Sequence, residues 1–448
     1  MKRLIIIILV CIATVTMAIA QGRYVFPSEI APLTHTVWGQ DAPFNKFCPK
    51  EKKDTTTRQA YAGCGPLVMS QVMKRWNYPP SSPQLGSIYR WKEMFNEKGD
   101  SVTVQQEDAV ARLIADCGKA AHTDYGQTAS ATKLNEVVTG LKKYFGYNPY
   151  MAILDRSNYD GAQGDRTWKS LIYQELKSGR PVIMRGEKGP RAAHVFIIDG
   201  CRDSMVHVNF GWGGKRNGYY DPDQLDGYRL NQRMIVDIAP QGYRPSIRKY
   251  TINQPGRLNS IISYTDRRTL RHIKIVGPIN SRDIALLRQM AGGKANGQRI
   301  KGNLCTIDLS EAVILALPDS AFYGCDNLTY VSLPFTLPEI SACAFAGCSK
   351  LNRVDIRSMV SEIKSKAFSA CFCLTTVSLP FALKKIGDNA FNSCNSLTEI
   401  FLPPMLTTIG NGAFANANRL EQLTLPRSAK HLGKDIVKGT KVKKIKKL

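Results

Sequence analysis

The chain has 448 residues, 43% hydrophobic and 22% charged, a composition that excludes extended disorder, and its length predicts two domains. Lys and Arg outnumber Asp and Glu by 25, a balance that predicts affinity for anions without specifying nucleic acid. Twelve cysteines in this length are too few for a disulfide scaffold, so each thiol has to be considered separately.

The first 20 residues have the pattern of a secretory signal peptide. Lys2 and Arg3 precede an apolar run that ends in the small-x-small pattern Ala18-Ile19-Ala20. A membrane anchor is the alternative, but the run is shorter than a comfortable span and no second apolar stretch of about 20 residues follows it. We therefore predict an exported protein of bacterial type that is secreted, held at the cell surface or periplasmic. Export disfavours nucleic acid as a partner and favours anionic surfaces.

A helix is predicted directly after Cys64. The apolar residues that follow occur at the i, i+1, i+4, i+5, i+8 spacing of one helix face, at Val68, Met69, Val72, Met73 and Trp76. Pro66 suits the first helical turn, where its missing N–H has no intrahelical partner to lose. Cys64 would therefore lie at a helix N-terminus, where the helix dipole and free N–H groups favour a thiolate. On this ground alone, a half-buried structural cysteine is the commoner case.

Short apolar segments later in this half predict an antiparallel sheet, because the loops between them are short. They follow the amphipathic stretch 168–178 and comprise residues 181–184, 193–200, 205–214 and 233–239. His194 opens one of these strands, where a buried structural histidine and a functional one are both consistent with the pattern. His207 alternates with apolar residues on the next strand, which favours a solvated or structural role.

Four separated blocks in this half resemble the streptopain family of papain-like cysteine peptidases. The blocks are Trp38-Gly39-Gln40 with Pro43-Phe44-Asn45 and Cys48-Pro49; Gly63-Cys64 with Gln71 and Asn77-Tyr78-Pro79; Asp124-Tyr125-Gly126 with Phe145-Gly146-Tyr147; and Gly179-Arg180-Pro181-Val182 with 194–200, 207–214 and 218–220. The resemblance covers about residues 36–240. It implies an α+β papain-like catalytic domain, with a helical part and an antiparallel sheet.

The resemblance also implies a cysteine-type endopeptidase that works through a thiolate–imidazolium pair, with neither a metal nor a cofactor. Cys64 would attack the peptide carbonyl, and His194 would hold the thiol proton and return it to the leaving amine. Gln40 would donate an N–H to the oxyanion, together with the backbone N–H of Cys64.

The same resemblance indicates further site residues with less specific signals. Asn209 is the candidate for the group that orients the histidine, and Trp212 for the ring that shields it. The residue after this asparagine is often Trp in the family, whereas here it is Phe210. By analogy, the backbone near Ala131 and Ala193 would line the substrate groove.

The chain departs from the family pattern at three places. Gly65-Pro66-Leu67-Val68 replaces the usual Val-Ala-Thr-Ala after the cysteine, and Ala192-Ala193 replaces Gly-Gly before the histidine. The added methyl groups would either narrow subsite access or mark an altered or lost activity. Residues 21–37 are too few for the folded inhibitory propeptide usual in the family, so we expect restraint by a separate inhibitor or by the C-terminal domain.

The C-terminal half repeats with a period of 23 residues. The columns that keep this step are Phe322, Phe345, Phe368, Phe391 and Phe414; Leu328, Leu351, Leu374, Leu397 and Leu420; Val331, Val354, Val377, Ile400 and Leu423; Leu333, Ile356, Leu379, Leu402 and Leu425; and Cys325, Cys348, Cys371 and Cys394. The L-x-x-V-x-L pattern predicts a leucine-rich-repeat solenoid. The motif A-F-x-x-C-x-x-L-x-x-V-x-L-P resembles the surface-antigen type of repeat in exported bacterial proteins, which usually binds proteins or surfaces.

The cysteine column is interpreted as small buried side chains that pack on one another, since no CxxC pair or interleaved histidine gives metal-ligand spacing. The lysine-rich tail has two open interpretations, a binding site for anionic lipid or polysaccharide and an edge strand protected from aggregation. We predict a signal peptide over 1–20, a peptidase domain over 21–242, a linker over 243–256, a divergent capping repeat over 257–310, repeats over 311–433 and a basic tail over 434–448.

The resulting hypothesis is an exported cysteine endopeptidase with a binding array, acting on a protein or peptide substrate. The array would bind a host or cell-surface protein or polysaccharide. Two alternatives stay open: an adhesin whose peptidase half is inactive, and a Cys–His amidase that acts on cell-wall peptides. Retention of Gln40, Cys64, His194 and Asn209 together argues against the inactive form.

Overall fold

The computed structural model describes residues 24–53, 56–126, 128–190, 192–243, 247–295, 298–299, 302–356 and 359–447. The chain forms two compact units that divide between Arg244 and Pro245. The predicted signal peptide lies outside the described residues. Within the described ranges, the helices are all too short or too polar to cross a membrane.

Within its described residues, the first unit contains four α-helices and a six-stranded sheet. The helices are α1 (Cys64–Trp76), α2 (Val104–Ala120), α3 (Leu134–Phe145) and α4 (Gly161–Lys177). Helix α1 begins at the predicted residue and buries the predicted apolar face against α2 and α3. It ends where Asn77 adopts a left-handed conformation and donates its N–H to the carbonyl of Lys74.

The sheet of this unit has six antiparallel strands in the order β5-β10-β6-β7-β8-β9. The strands are β5 (Ala152–Asp155), β6 (Val182–Glu187), β7 (Ala193–Arg202), β8 (Met205–Asn209), β9 (Gly218–Tyr220) and β10 (Leu230–Val236). Two small hairpins, β1 (Lys50–Lys53) with β2 (Thr56–Gln59) and β3 (Ser81–Ser82) with β4 (Ser87–Ile88), accompany it. The predicted antiparallel sheet and α+β class are therefore confirmed.

Alternate residues of the central strands enter two separate cores, as the two-residue period of a strand requires. Ile183 and Val195 face the core formed with α1, α2 and α3. Val182 and Phe196 face a second core, which contains Trp168 from α4. The sheet thereby presents one end of β7 to the beginning of α1, which positions the candidate site.

The second unit begins with a mixed α and β region. Its elements are β11 (Arg248–Thr251), α5 (Leu258–Ile261), α6 (Tyr264–Thr269), β12 (His272–Pro278), α7 (Ser281–Met290), β13 (Lys294–Ala295), β14 (Gln298–Arg299) and β15 (Thr306–Val313). Strand β11 pairs in parallel with β12. Residues 248–251, which fall within the predicted linker over 243–256, form this strand, and the sheet of the second unit begins at Arg248.

The repeats form a parallel solenoid with two ladders of short strands. One ladder continues from β15 through β16 (Tyr330–Ser332), β18 (Arg353–Asp355) and β20 (Thr376–Ser378). The other contains β17 (Glu339–Ile340), β19 (Glu362–Ile363), β21 (Lys385–Ile386), β22 (Thr408–Ile409) and β24 (His431–Leu432). Residues 23 apart pair directly, as Val331 does with Val354 and Val354 with Val377. The predicted solenoid is confirmed.

Aromatic and cysteine columns fill the interior of the solenoid. The five phenylalanine rings stack with centroids 5.2–5.5 Å apart. Three thiols of the cysteine column, those of Cys348, Cys371 and Cys394, donate to a phenylalanine carbonyl of the preceding repeat, as Cys371 does to Phe345 at 3.2 Å. The first thiol, that of Cys325, donates to the carbonyl of Arg288 at 3.7 Å. The column is buried as expected, and these thiols give the phenylalanine carbonyls a second hydrogen bond beside the one from a backbone N–H, as Phe345 accepts from both Cys348 and Cys371.

The C-terminal tail ends in a short strand, β25 (Lys446–Lys447), which pairs in parallel with β23 (Thr424–Leu425). Val442 and Ile445 pack against the core of the solenoid, while the lysines between and after them are exposed. Strand β25 carries lysines, which on an edge strand discourage further strand pairing, and the two interpretations of the tail stay open.

Candidate active site

Cys64 is the first residue of α1, and a glycine lies on each side of it. Gly63 has φ 86°, a left-handed conformation that side chains rarely adopt. A Cβ atom at Gly63 would lie 3.0 Å from the Cβ of Ser130, and one at Gly65 would lie 2.5 Å from the Cβ of Thr132. The two glycines therefore allow the segment 130–132 to pack directly against the start of the helix.

Ala131 is the exposed residue at the centre of this segment. Its N–H donates to the carbonyl of Asp124 at 2.8 Å, and its carbonyl accepts from the N–H of Asp124 at 2.9 Å. The backbone at Ala131 is thereby held in an extended conformation beside Cys64. This is the position at which the sequence resemblance predicted a wall of the substrate groove.

The Cys64 thiol lies between α1 and β7. Burial raises the pKa of Cys64, while the backbone N–H groups of Val195, Gly65 and Cys64 and the positive charge of Arg185 act in the opposite direction. Val195 directly follows His194 in β7. The strand that carries the histidine thus also directs a backbone donor at the sulfur, and burial favours the protonated thiol.

His194 is buried at the beginning of β7, with 6% of its surface exposed. Its Nε2 lies 2.8 Å from the carbonyl oxygen of Phe210. A carbonyl only accepts hydrogen bonds, so Nε2 carries the proton, and Nδ1 of the neutral ring is the atom able to accept one. The contact with Phe210 therefore selects the tautomer.

Aromatic rings enclose the imidazole of His194. The Trp212 ring stacks on it with centroids 4.6 Å apart, and the Tyr228 ring lies 5.5 Å away. Burial lowers the pKa of His194 to about 4; the hydrogen bond to Phe210 opposes this shift, and the charge of Lys188 adds to it. Trp212 therefore covers one face of the imidazole, and its role as the shielding ring stays a prediction.

The two pKa shifts bear on the expected thiolate–imidazolium pair. Burial favours the neutral thiol of Cys64 and the neutral imidazole of His194. Both shifts act against the charged pair that the resemblance implies, and its presence at rest stays a prediction. From an uncharged resting pair, the charged pair would form by proton transfer from sulfur to Nδ1 during the reaction.

Asn209 lies at the end of β8 and is turned away from the imidazole. Its amide nitrogen donates to the carbonyl of Thr36 at 2.8 Å and to Oε1 of Gln71 at 3.2 Å, and its Oδ1 accepts from the N–H of Gly211 at 3.0 Å. The expected direct contact between Asn209 and His194 is replaced by the main-chain carbonyl of Phe210. A main-chain acceptor carries no residue-specific signal, so sequence reasoning could not have found it.

Gln40 lies in a segment that contacts the loops on both sides of the site. Its carbonyl accepts from the N–H of Ala62 at 2.8 Å, two residues before Cys64. The carbonyl of Trp38 accepts from the N–H of Gly213 at 3.0 Å, next to the shielding ring. The structure thus brings the Gln40 segment beside the start of α1, as an oxyanion donor would require.

The loop from Phe210 to Gly214 contains three glycines with positive φ. Gly211 has φ 71°, and a Cβ atom there would lie 2.6 Å from Cδ2 of Leu67 in α1. The loop therefore passes so close to α1 that a side chain at this position would collide with it. This approach explains why the predicted strand 205–214 ends at Asn209.

Ala193 and His207 take the positions expected from the strand pattern. Ala193 is exposed and pairs with Glu187 across the hairpin of β6 and β7, immediately beside His194. The Nδ1 of His207 lies 2.7 Å from Oδ1 of Asp199, a fully buried carboxylate that also accepts from the N–H of Thr34 at 3.0 Å. His207 is therefore a structural residue, and His194 is the histidine beside Cys64.

Two family profiles match the chain in separate regions. The profile of the peptidase C10 family matches residues 38–220, which contain the whole candidate site. The profile of the BspA type leucine-rich repeat region matches in six copies over residues 316–443. The two matched ranges fall in different structural units.

Known proteins are similar to the N-terminal half. The chain is 27% identical over 252 residues to the thiol protease/hemagglutinin PrtT of Porphyromonas gingivalis, over 48% of this chain and 28% of that protein. It is 27% identical over 244 residues to streptopain of Streptococcus pyogenes, over 45% of this chain and 60% of that protein. The active wild-type interpain A cysteine protease of Prevotella intermedia is 29% identical, with a TM-score of 0.42, over 47% of this chain and 95% of that one. The chain thus spans less than two thirds of both curated relatives.

Proposed function

Given an N-terminal peptidase C10 (streptopain family) domain of papain-like α+β fold and C-terminal BspA-type leucine-rich repeats, we propose that the protein is an exported cysteine endopeptidase with a binding array. Cys64 is the nucleophile and His194 the general acid and base. The observation that carries the proposal is the hydrogen bond from the His194 Nε2 to the carbonyl of Phe210, because it leaves Nδ1 as the basic atom of the ring. His194 lies in the same strand as Val195, whose backbone N–H contacts the Cys64 sulfur.

The acylation step transfers one proton and exchanges one bond. The proton of the Cys64 thiol passes to Nδ1 of His194 as the sulfur bonds to the peptide carbonyl carbon, whose oxygen becomes an oxyanion. The tetrahedral intermediate collapses with cleavage of the C–N bond, and the proton on Nδ1 passes to the leaving amine. The product is a thioester on Cys64.

Deacylation repeats these roles with water. A water molecule gives a proton to Nδ1 of His194 and attacks the thioester carbonyl, after which the S–C bond breaks and the sulfur regains its proton. In both steps the oxyanion would be stabilised by the backbone N–H of Cys64 and the side chain of Gln40. Trp212 would keep water away from the His194 ring while the proton is transferred. Ala131 and Ala193 would line the groove that holds the peptide.

Peptide-library digestion tests the proposal with two cysteine variants. We expect the mature chain to cleave unfolded polypeptide and Cys64→Ala to lose that cleavage entirely. Cys373→Ala is the matched control, because Cys373 is an exposed thiol in the other unit and its removal is expected to leave cleavage unchanged.

Three outcomes would contradict the proposal. Cleavage that persists in Cys64→Ala would exclude the site, and turnover of cell-wall peptides without cleavage of polypeptides would indicate the amidase. Absence of both turnover and selective alkylation of Cys64 in the unmodified chain would indicate an inactive peptidase half. Restraint by a separate inhibitor stays a prediction in each case.

For the repeats, we propose binding to a polysaccharide that carries carboxylate or sulfate groups at a cell surface. The last coil exposes a set of eight lysines, which we term the basic end: Lys430, Lys434, Lys438, Lys441, Lys443, Lys444, Lys446 and Lys447. Only Lys438 and Lys441 have a carboxylate partner within the described part of the chain, each at 3.7 Å. A concentration of uncompensated charge at one end of a unit favours a polyanion.

Retention on dextran sulfate as a function of salt tests this second proposal. We expect the triple variant Lys443→Gln, Lys444→Gln, Lys447→Gln to elute at lower salt than the unmodified chain. The matched control replaces three exposed lysines of the first unit, Lys92, Lys143 and Lys177, by Gln. Equal loss of retention in the two variants would mean that net charge, and not the basic end, determines binding.

A further inference from the structure

A buried hydrogen-bond node joins three segments behind the candidate site. Oε1 of Gln71 accepts from Oγ1 of Thr36 at 2.8 Å and from Nδ2 of Asn209 at 3.2 Å. The same Nδ2 also donates to the carbonyl of Thr36 at 2.8 Å. The three side chains are 0%, 3% and 2% exposed for Gln71, Thr36 and Asn209, so water does not reach them.

Each segment that meets at Gln71 leads to one proposed reacting group. Gln71 lies two turns after Cys64 in α1. Thr36 lies four residues before Gln40. Asn209 accepts from the N–H of Gly211 and so holds both sides of Phe210, whose carbonyl fixes the imidazole.

Burial of the polar Gln71 side chain costs free energy, and an apolar side chain of similar size would fill the same space. Its Nε2 is among the buried side-chain atoms without a hydrogen-bond partner, and it lies 3.7 Å from the position of a Cβ atom on Gly211. An apolar residue of similar size would avoid an unsatisfied donor. What such a residue could not provide is an oxygen that accepts from two segments at once.

We propose that Gln71 is a positioning residue for the candidate peptidase site. Its Oε1 accepts hydrogen bonds from Thr36 and Asn209 at the same time. It thereby fixes the segment that leads to Gln40 and the loop 209–211 against α1, the helix that carries Cys64. The distance between Cys64 and the Nδ1 of His194 then depends on a residue that touches neither. The expected effect on turnover rests on the proposed function. The expected effect on the alkylation of the Cys64 thiol does not, because it depends only on how His194 is held beside that thiol.

Three substitutions separate positioning from simple stability. Gln71→Leu removes the acceptor, and Thr36→Val removes only one of its two donors. Ser70→Ala is the matched control, since Ser70 is equally buried in the same helix and, among the described residues, its hydroxyl donates to the Leu67 carbonyl of that helix, at 2.8 Å. Peptide hydrolysis and the pH dependence of Cys64 alkylation by iodoacetamide are measured for each folded variant.

We expect Gln71→Leu to lower kcat about 10- to 100-fold with little change in KM, and Thr36→Val to have a smaller effect in the same direction. The acid limb of the alkylation profile should move to lower pH in Gln71→Leu, because the Phe210 carbonyl that stabilises the protonated imidazole is displaced. Ser70→Ala should leave both readouts unchanged.

The proposal is overturned if folded Gln71→Leu and Thr36→Val retain the kcat and the alkylation profile of the unmodified chain. It is also overturned if Ser70→Ala changes both readouts as much as they do. Should the unmodified chain cleave no peptide, the proposed function fails while the alkylation profile still decides the role of Gln71. If Gln71→Leu does not fold, Thr36→Val carries the same two readouts.

Discussion

The two units of the chain organise their interiors in opposite ways. In the solenoid, one contact recurs every 23 residues, as in the rings of Phe345, Phe368 and Phe391 at spacings of 5.3 and 5.2 Å. In the first unit, the contacts around His194 are single and come from different segments, Phe210 and Trp212 from the loop after β8 and Tyr228 from the segment before β10. The stability of the solenoid is therefore shared among many equivalent contacts, whereas the His194 site depends on a few contacts that have no equivalent elsewhere.

The largest expected effect tests the repeated contacts. Phe368→Ala removes a fully buried ring with a ring neighbour on each side, so we expect the second unit to lose about 3–5 kcal/mol of unfolding free energy. Denaturant unfolding followed separately for each unit measures this loss. The unfolding of the first unit should not change.

Phe414→Ala sharpens the same comparison, because Phe414 is the last ring of the stack and its described ring contact is with Phe391 alone. One ring contact fewer should reduce the loss by about 1 kcal/mol relative to Phe368→Ala. Equal losses at both positions would mean that burial, and not stacking, determines the stability of the column.

An intermediate effect is expected from pH and belongs to the first unit. The pKa of His194 is about 4 in the folded chain, below its ordinary value of 6.5, so the unfolded chain binds the proton more readily between these values. The stability contributed by the neutral histidine is complete above pH 6.5 and is lost as the pH falls toward 4. Between pH 7 and 4.5 this loss is about 2 kcal/mol.

Comparison of the unmodified chain with His194→Gln isolates this contribution, because the variant has no imidazole to titrate. The unfolding free energy of the first unit should fall less steeply with acid in His194→Gln. If the unfolding free energies of the two proteins change with pH in the same way, the pKa of His194 is not lowered in the folded chain.

The smallest effect concerns the cysteine column. Cys371→Ala removes the thiol that donates to the carbonyl of Phe345 at 3.2 Å and leaves a small cavity, so the second unit should lose about 1 kcal/mol. Cys371→Ser keeps a donor at this position and should restore part of the loss. The column itself ends at Ala417, which shows that the last repeat tolerates the smaller side chain.

The repeated unit was readable from the sequence because its contacts and its residue columns have the same period. Strand pairing between Val331 and Val354 follows directly from their 23-residue spacing. The start of α1 at Cys64 was equally readable, since a helix face and its first-turn proline are local features. Local and periodic signals thus account for the class of both units.

The details of the candidate site were not readable in this way. That His194 is bound by the carbonyl of Phe210, and that Asn209 contacts Gln71, depends on the path of a glycine loop across α1. The strand at residues 248–251, within the predicted linker, was not readable for a related reason. Whether a basic segment is a strand depends on the partner strand β12, which lies more than 20 residues later in the chain.

The acceptor that selects the tautomer of His194 belongs to the main chain, and this has a consequence for mutation. Every amino acid supplies the same carbonyl at position 210, so no substitution there can delete the hydrogen bond chemically. The Phe210 side chain is fully buried and stacks on Trp212 with centroids 5.0 Å apart, so a substitution there acts on the hydrogen bond only through the packing of the loop. The bond is lost only when a change in the loop displaces the carbonyl. We therefore expect the orientation of His194 to be more sensitive to substitution of the loop glycines, such as Gly211, than to the identity of residue 210.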